Sequence, residues 1–287
     1  RASTVQSAHF QTIPLSRIDL KDDTFRITTR TDIGDLLGSI QYDGLIRPPL
    51  LIKRRSAFII VSGFRRIAAC LKLGWQDITA RILKPNVAAL DCLRLAIAEN
   101  SLQRSLNLIE TSRCLQKLSL FTANSRHLAE SASSLGLPDN PSIIHKIKGL
   151  SLLPWPIQSS ILTDTISLAM AKELESMEAD LAIAYVRLFE QLKIGLNKQR
   201  EILTMVKEIG RRDGLSSQAV MAEKRFIEIM TQRDLDRGQK SRQLRAYLRR
   251  RRYPRITEAE KTFKFHHKNL NLGNDIKLIP PKDFEAG

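Results

Sequence analysis

The stretch that most restricts the fold is IIVSGFRRIAAC, residues 59–70. It opens as a run of β-branched and apolar residues and closes as a helical pattern, so a strand must pass into a helix within a few residues. Gly63 stands at the join, and Arg65 and Arg66 follow it. The first turn of a helix exposes unpaired N–H groups and a partial positive charge, which suits an anion. Glycine lets that anion approach the backbone, and two guanidinium groups add planar, charge-assisted donors matched to phosphate oxygens. SGFRR therefore reads as a phosphate-binding corner. It is not a P-loop, because G-x-x-x-x-G-K-[ST] is absent. The alternative is that Arg65 and Arg66 are solvated or pair with nearby carboxylates.

The flanking sequence supplies a small α/β unit around this corner. Ile33, Leu36, Leu37 and Ile40 form one helical stripe, with Thr31 or Asp32 available as N-cap, and Gly44 ends the helix. Short apolar strands are expected at 50–52 and 58–62, a helix follows to Gly74, and DITARIL (77–83) alternates as a third strand. Leu90, Leu93 and Ile97 then share a helical face.

Three motifs in order resemble the ParB-like family of DNA-partition proteins: GLIRPP (44–49), IIVSGFRRIAA (59–69) and AENSLQRSLNLIE (98–110), with the resemblance running over about residues 11–210. Family members carry G-L-x-Q-P, G-E-R-R-x-R-A-A and E-N-x-Q-R followed by L-N-x-I-E at these places. The resemblance implies CTP bound with magnesium, a homodimer that closes as a clamp on double-stranded DNA, and a ParA-like ATPase partner in chromosome or plasmid partition. It implies nucleotide contacts from Gly44, Ser62, Gly63, Arg65, Arg66, Glu99, Asn100, Gln103 and Arg104, with Glu99 and Asn100 also at the metal. The chain departs from the family at four places. Phe64 replaces the glutamate of G-E-R-R, Ala68 replaces the next arginine, Arg47 replaces the glutamine before proline, and Arg104 comes one residue late, with Gln103 in its usual place. Phe64 argues against hydrolysis, so enzyme activity is limited to a weak CTPase.

The middle of the chain, SRHLAESASSLGLPDNPSIIHKIKGLSLL, reads as a helix-turn-helix near 126–153. Leu128, Ala129, Ala132 and Leu135 form one stripe, Asn140 caps the second helix with Pro141 at its first position, and Ile143, Ile144, Ile147 and Leu150 are expected to face inward. Asn140, Ser142, His145, Lys146 and Lys148 are then the candidates for DNA contact. The tail holds Arg249, Arg250, Arg251 and Arg252 in a row, expected to attract phosphate without reading sequence. Residues 263–281 alternate around Gly273 and are expected to form a hairpin.

With 46 Lys and Arg against 30 Asp and Glu, the chain carries +16, which favours a polyanionic partner. Cys70, Cys92 and Cys114 lie in apolar helical patterns without C-x-x-C or zinc-ligand spacing, so buried inert thiols are expected. No apolar run approaches membrane-spanning length, and the first residues lack the apolar stretch of a signal peptide. A cytoplasmic, nucleoid- or plasmid-associated protein is expected, with no membrane partner. The chain starts at Arg1, which suggests a fragment.

The expected class is α+β, mostly α. A small ParB-like α/β domain (11–98) precedes an all-α DNA-binding domain (99–235), followed by a basic linker and a terminal hairpin (236–287). Two other readings remain. One is an enzyme on the same α/β unit, a nuclease or a sulfiredoxin-like phosphotransferase using Cys70. The other is a protein-binding adaptor.

Overall fold

The structure, a computed structural model, describes residues 8–270. It divides between Leu153 and Pro154 into two compact units.

The first unit is built on a five-stranded sheet in the order β1-β5-β3-β4-β2. The strands are β1 (His9–Pro14), β2 (Ile18–Asp19), β3 (Leu50–Arg54), β4 (Ala57–Ser62) and β5 (Asp77–Leu83). β3 and β4 form an antiparallel hairpin, β3 runs parallel to β5, and β1 closes one edge antiparallel to β5. Ile13, Ile18, Leu51, Phe58, Ile60, Ile78, Ala80 and Ile82 form the sheet's share of one core, with Ile67, Ala69 and Cys70 of α2 (Phe64–Lys72) packed on them. The sequence reading lacked β1 and β2. β1 buries only Ile13, as befits an edge strand with little apolar signal. The helix α1 (Gly34–Asp43) has Ile33 at its N-cap position; Asp32 instead accepts from the Gly34 N–H at 2.9 Å.

The boundary expected at 98/99 falls inside α3 (Ala89–Gln103). The reason lies in the next helix, α4 (Leu108–Leu118), which ties the irregular segment 23–29 into the same unit. Lys117 Nζ donates to the carbonyls of Asp23 and Thr24, and Arg113 donates to those of Ile27 and Thr28. Glu110, 0% exposed, accepts from the Thr29 N–H at 2.9 Å and from both arms of the Arg104 guanidinium. Positions 110, 113 and 117 share one helical face. The other face carries buried Ser112, whose hydroxyl donates to the Lys148 carbonyl and accepts from the Ser151 N–H.

Two more helices complete this unit, α5 (Ser125–Ser133) and α6 (Pro141–Ile147). After α5 the Leu137 N–H bonds the Ala132 carbonyl and the Gly136 N–H bonds that of Ser133, with Gly136 at φ +70°. This is a Schellman ending, which needs the left-handed conformation glycine adopts freely. Asn140 caps α6 by accepting from the N–H groups of Ser142 and Ile143, with Pro141 at the first position. Ile144, Ile147 and Leu150 are buried as expected, whereas Ile143 is 47% exposed. A helix of only two turns buries a narrow stripe, and Ile143 lies beside it.

The second unit is helical among its described residues: α7 (Trp155–Leu162), α8 (Leu168–Glu175), α9 (Ala179–Leu192), α10 (Leu196–Asp213), α11 (Ser217–Met221), α12 (Lys224–Thr231), α13 (Arg237–Arg252) and α14 (Pro254–Asn269). The N-cap of α10 is Gly195. Contrary to the linker expectation, the arginine run lies in α13, which has an Asp236/Gln239 capping box and buried Leu244 and Leu248. Residues 263–269 of the expected hairpin are helical, and 271–281 lie outside the described residues.

Glu110 makes stability pH-dependent. Burial would raise its carboxyl, but Arg104 and the N–H groups of Thr29 and Asn107 outweigh that and hold it at about 2, below its ordinary 4.5. A depressed folded-state value stabilises above the unfolded value and is lost as pH falls through the folded one. Denaturant midpoints should therefore fall between pH 4.5 and 2, by up to about 3 kcal/mol of stability. Glu110→Gln should be less stable at neutral pH and lose most of that pH dependence.

Candidate functional site

The corner predicted from SGFRR forms at the junction of β4 and α2. Gly63 is the N-cap of α2 at φ +99° and ψ 22°, and no side chain caps the turn. A Cβ there would meet the Pro49 Cβ at 2.7 Å, so both the conformation and the close approach require glycine. Helical bonding begins with the Ile67 N–H donating to the Gly63 carbonyl, which leaves the N–H groups of Phe64, Arg65 and Arg66 ahead of the ladder.

This turn opens into a cleft of about 360 Å³. Gly44, Ser62, Gly63, Arg65, Arg66, Glu99, Asn100, Gln103 and Arg104 all line it, so the nine residues expected from three separated motifs are brought together. Leu36, Ile40, Leu45 and Ile46 give it an apolar side.

The arginines already have partners. Arg65 Nε donates to the Asp32 carbonyl at 2.7 Å, and its guanidinium pairs with Asp35, whose carboxyl it holds below the usual range. Arg66 pairs with Glu99 at 3.0 Å and donates to the carbonyl of Arg47. The carboxylate-paired alternative thus describes both residues here. Arg104 is committed to Glu110 through two bonds, at 2.6 and 2.5 Å, so it forms wall more than free donor. The Asn100 amide nitrogen donates to the Ala96 carbonyl at 2.7 Å, leaving its oxygen for other partners. A carboxylate and an amide oxygen are hard donors that fit magnesium, so Glu99 and Asn100 are the residues that would hold it.

Phe64 packs against the core and lines the cleft, with the Arg26 guanidinium 5.4 Å from its ring centroid. It places no polar atom where the family has a carboxylate.

Residues 1–101 match the family model for the ParB N-terminal domain. This part of the chain is a ParB N-terminal domain. The nucleoid occlusion protein of Bacillus cytotoxicus is 27% identical over 198 residues, 68% of this chain and 66% of that protein. The chain thus spans just under two thirds of the curated relative it matches. Among solved structures, Caulobacter crescentus ParB complexed with CTP-gamma-S is 22% identical, covering 63% of this chain and 98% of that one, with a TM-score of 0.29. The same protein complexed to the centromeric parS site is 20% identical, covering 75% and 98%, with a TM-score of 0.34.

The three buried thiols do not fit the reactive cysteine that a sulfiredoxin-like enzyme needs. Burial raises Cys70, and pushes Cys92 to about 11 and Cys114 to about 12, so thiolate is scarce at neutral pH. The carboxylate cluster of a nuclease is not found among the described residues.

The DNA-contact candidates divide by exposure. Asn140, Ser142, His145 and Lys146 are exposed around α6, and Lys148 is half-buried. Arg249 and Arg250 are exposed on α13. Arg251 instead pairs with Asp213 at 2.6 Å and Glu223 at 3.1 Å, and Arg252 pairs with Glu208. Sequence reasoning missed Asp35, the carboxylates that occupy the arginine run, and the Glu110–Arg113–Lys117 stripe. Only the three-and-four spacing of that stripe was visible, and such spacing also describes a solvated helix face.

Proposed function

We propose that this chain is a ParB-like DNA-binding protein whose cleft takes a nucleoside triphosphate, CTP on the family resemblance, with magnesium. One observation carries the reading: the uncapped first turn of α2, with Gly63 and two arginines, opens into a cleft that Leu36, Leu45 and Ile46 also line. Phosphate oxygens would accept from the N–H groups of that turn while the base lies toward Leu36, Leu45 and Ile46.

Binding on this account is an exchange of partners. Arg65 leaves Asp35 and Arg66 leaves Glu99, each turning from carboxylate to phosphate. Glu99, freed of Arg66, becomes available to the cation, so anion and cation binding assist one another. Magnesium would supply charge neutralisation at the phosphates. Phe64 offers no group to position water, so the nucleotide is held and not efficiently hydrolysed. The bound nucleotide would favour closure of a homodimer on DNA, in partition or nucleoid occlusion, with a ParA-like ATPase as partner.

Sequence reading is assigned to α6. Its outward Ser142, His145 and Lys146 stand near a capped N-terminus, the part of a recognition helix that meets base edges.

Calorimetry with the four nucleoside triphosphates tests the cleft. CTP should bind the unaltered protein, and Arg65→Ala with Arg66→Ala should abolish that binding. Retained affinity in the double variant would contradict the assignment. Competition between a specific site and random duplex tests α6. Replacing Ser142, His145 and Lys146 by alanine should narrow discrimination, with each lost base contact worth about 1–3 kcal/mol. An equal loss on both duplexes would assign these residues to phosphate instead.

A further inference from the structure

We infer that α13 carries a second, sequence-independent contact to the duplex backbone, made by Arg242, Arg249 and Arg250 on its outward face. This rests on the DNA-binding reading above and separates residues that a run of basic letters treats alike.

The six arginines of α13 from Arg242 onward divide into two sets. Arg245 pairs with Glu201 at 2.6 Å, Arg251 with Asp213 and Glu223, and Arg252 with Glu208. These hold α13 onto its neighbours, and Arg212 adds bonds to the carbonyls of Arg251 and Arg252 at 2.8 and 2.9 Å. Arg242, Arg249 and Arg250 are exposed. Among the described residues, Arg242 and Arg249 have no ion pair or hydrogen bond, and Arg250 donates only to the Ala246 carbonyl at 3.3 Å. Positions 242, 249 and 250 lie within about a quarter-turn of one another, over about 12 Å of axis. Exposed Ala246 lies between them, so no bulky side chain blocks a close approach. α13 contains no acidic residue, and the carboxylates packed against it are already neutralised by the inward arginines.

The occupant follows from charge and shape. Three guanidiniums without a carboxylate partner among the described residues suit the regularly spaced phosphates of a duplex, and phosphate contacts carry no base information. An anionic membrane surface would require an apolar stripe beside the basic one, but Leu244 and Leu248 are buried.

The test is the salt dependence of binding to random-sequence duplex. Arg242→Gln, Arg249→Gln and Arg250→Gln together should reduce the slope of log K against log salt by up to about 2.7, with melting temperature unchanged. Arg251→Gln with Arg252→Gln should instead lower the melting temperature. An unchanged slope in the folded triple variant would overturn the inference and leave the DNA-binding reading standing. Loss of binding to vesicles containing phosphatidylserine, with duplex binding intact, would overturn it in favour of a membrane contact. Failure of the unaltered protein to bind any duplex would overturn both.

Discussion

The first unit depends on one buried carboxylate. Glu110 has no exposed surface, and an ionised group there is tolerable only because every oxygen is engaged: Arg104 grips it with both arms, and Thr29 and Asn107 donate to it. The same contacts fix the loop that includes Ile27 and Thr28 and hold Arg104 in place, and these residues line the cleft. The interaction that closes the fold therefore also forms one wall of the site. With Arg113 and Lys117 on the same helical face, α4 satisfies backbone carbonyls of a segment with little regular structure of its own.

The part of the cleft lined by Gly63 follows a different constraint. The contact between Gly63 and Pro49 leaves no room for a side chain, and it brings the β3 entry against the start of α2. The uncapped turn then faces the cleft, with both arginines held in reserve by Asp35 and Glu99. Such pairs are partly exposed, so their exchange for phosphate costs far less than breaking the buried Glu110–Arg104 pair would. The difference lies in the carboxylates, not the arginines: Glu110 is fully buried and ties Arg104 into the structure, while Asp35 and Glu99 are partly exposed, so that on the proposed reading Arg65 and Arg66 would exchange partners.

Much of this was legible in the sequence, and the limits have physical causes. β3, β4, α2 and β5 announce themselves because each buries a face with a clear period. The nine cleft residues were legible because three linked motifs carry them. β1 was not, because an edge strand needs only Ile13 in the core. Nor were the partners of the arginines, since Asp35 and Glu99 lie 30 and 33 residues from Arg65 and Arg66 and meet them only through the sheet. Arg249 to Arg252 looked uniform because consecutive letters hide helical phase; folding turns Arg251 and Arg252 toward acids on other helices and leaves Arg249 and Arg250 outside. The expected hairpin failed at 263–269 because alternation over so few residues cannot be told from a helix, and those residues are helical.

On the proposed reading, phosphates dock on the first turn of α2. Backbone amide shifts in nuclear magnetic resonance, followed as CTP with magnesium is added, test it most directly. The largest shifts should fall on Gly63, Phe64, Arg65 and Arg66, and inorganic triphosphate should reproduce them while cytidine should not. Saturable CTP binding that leaves those four amides unmoved would contradict it.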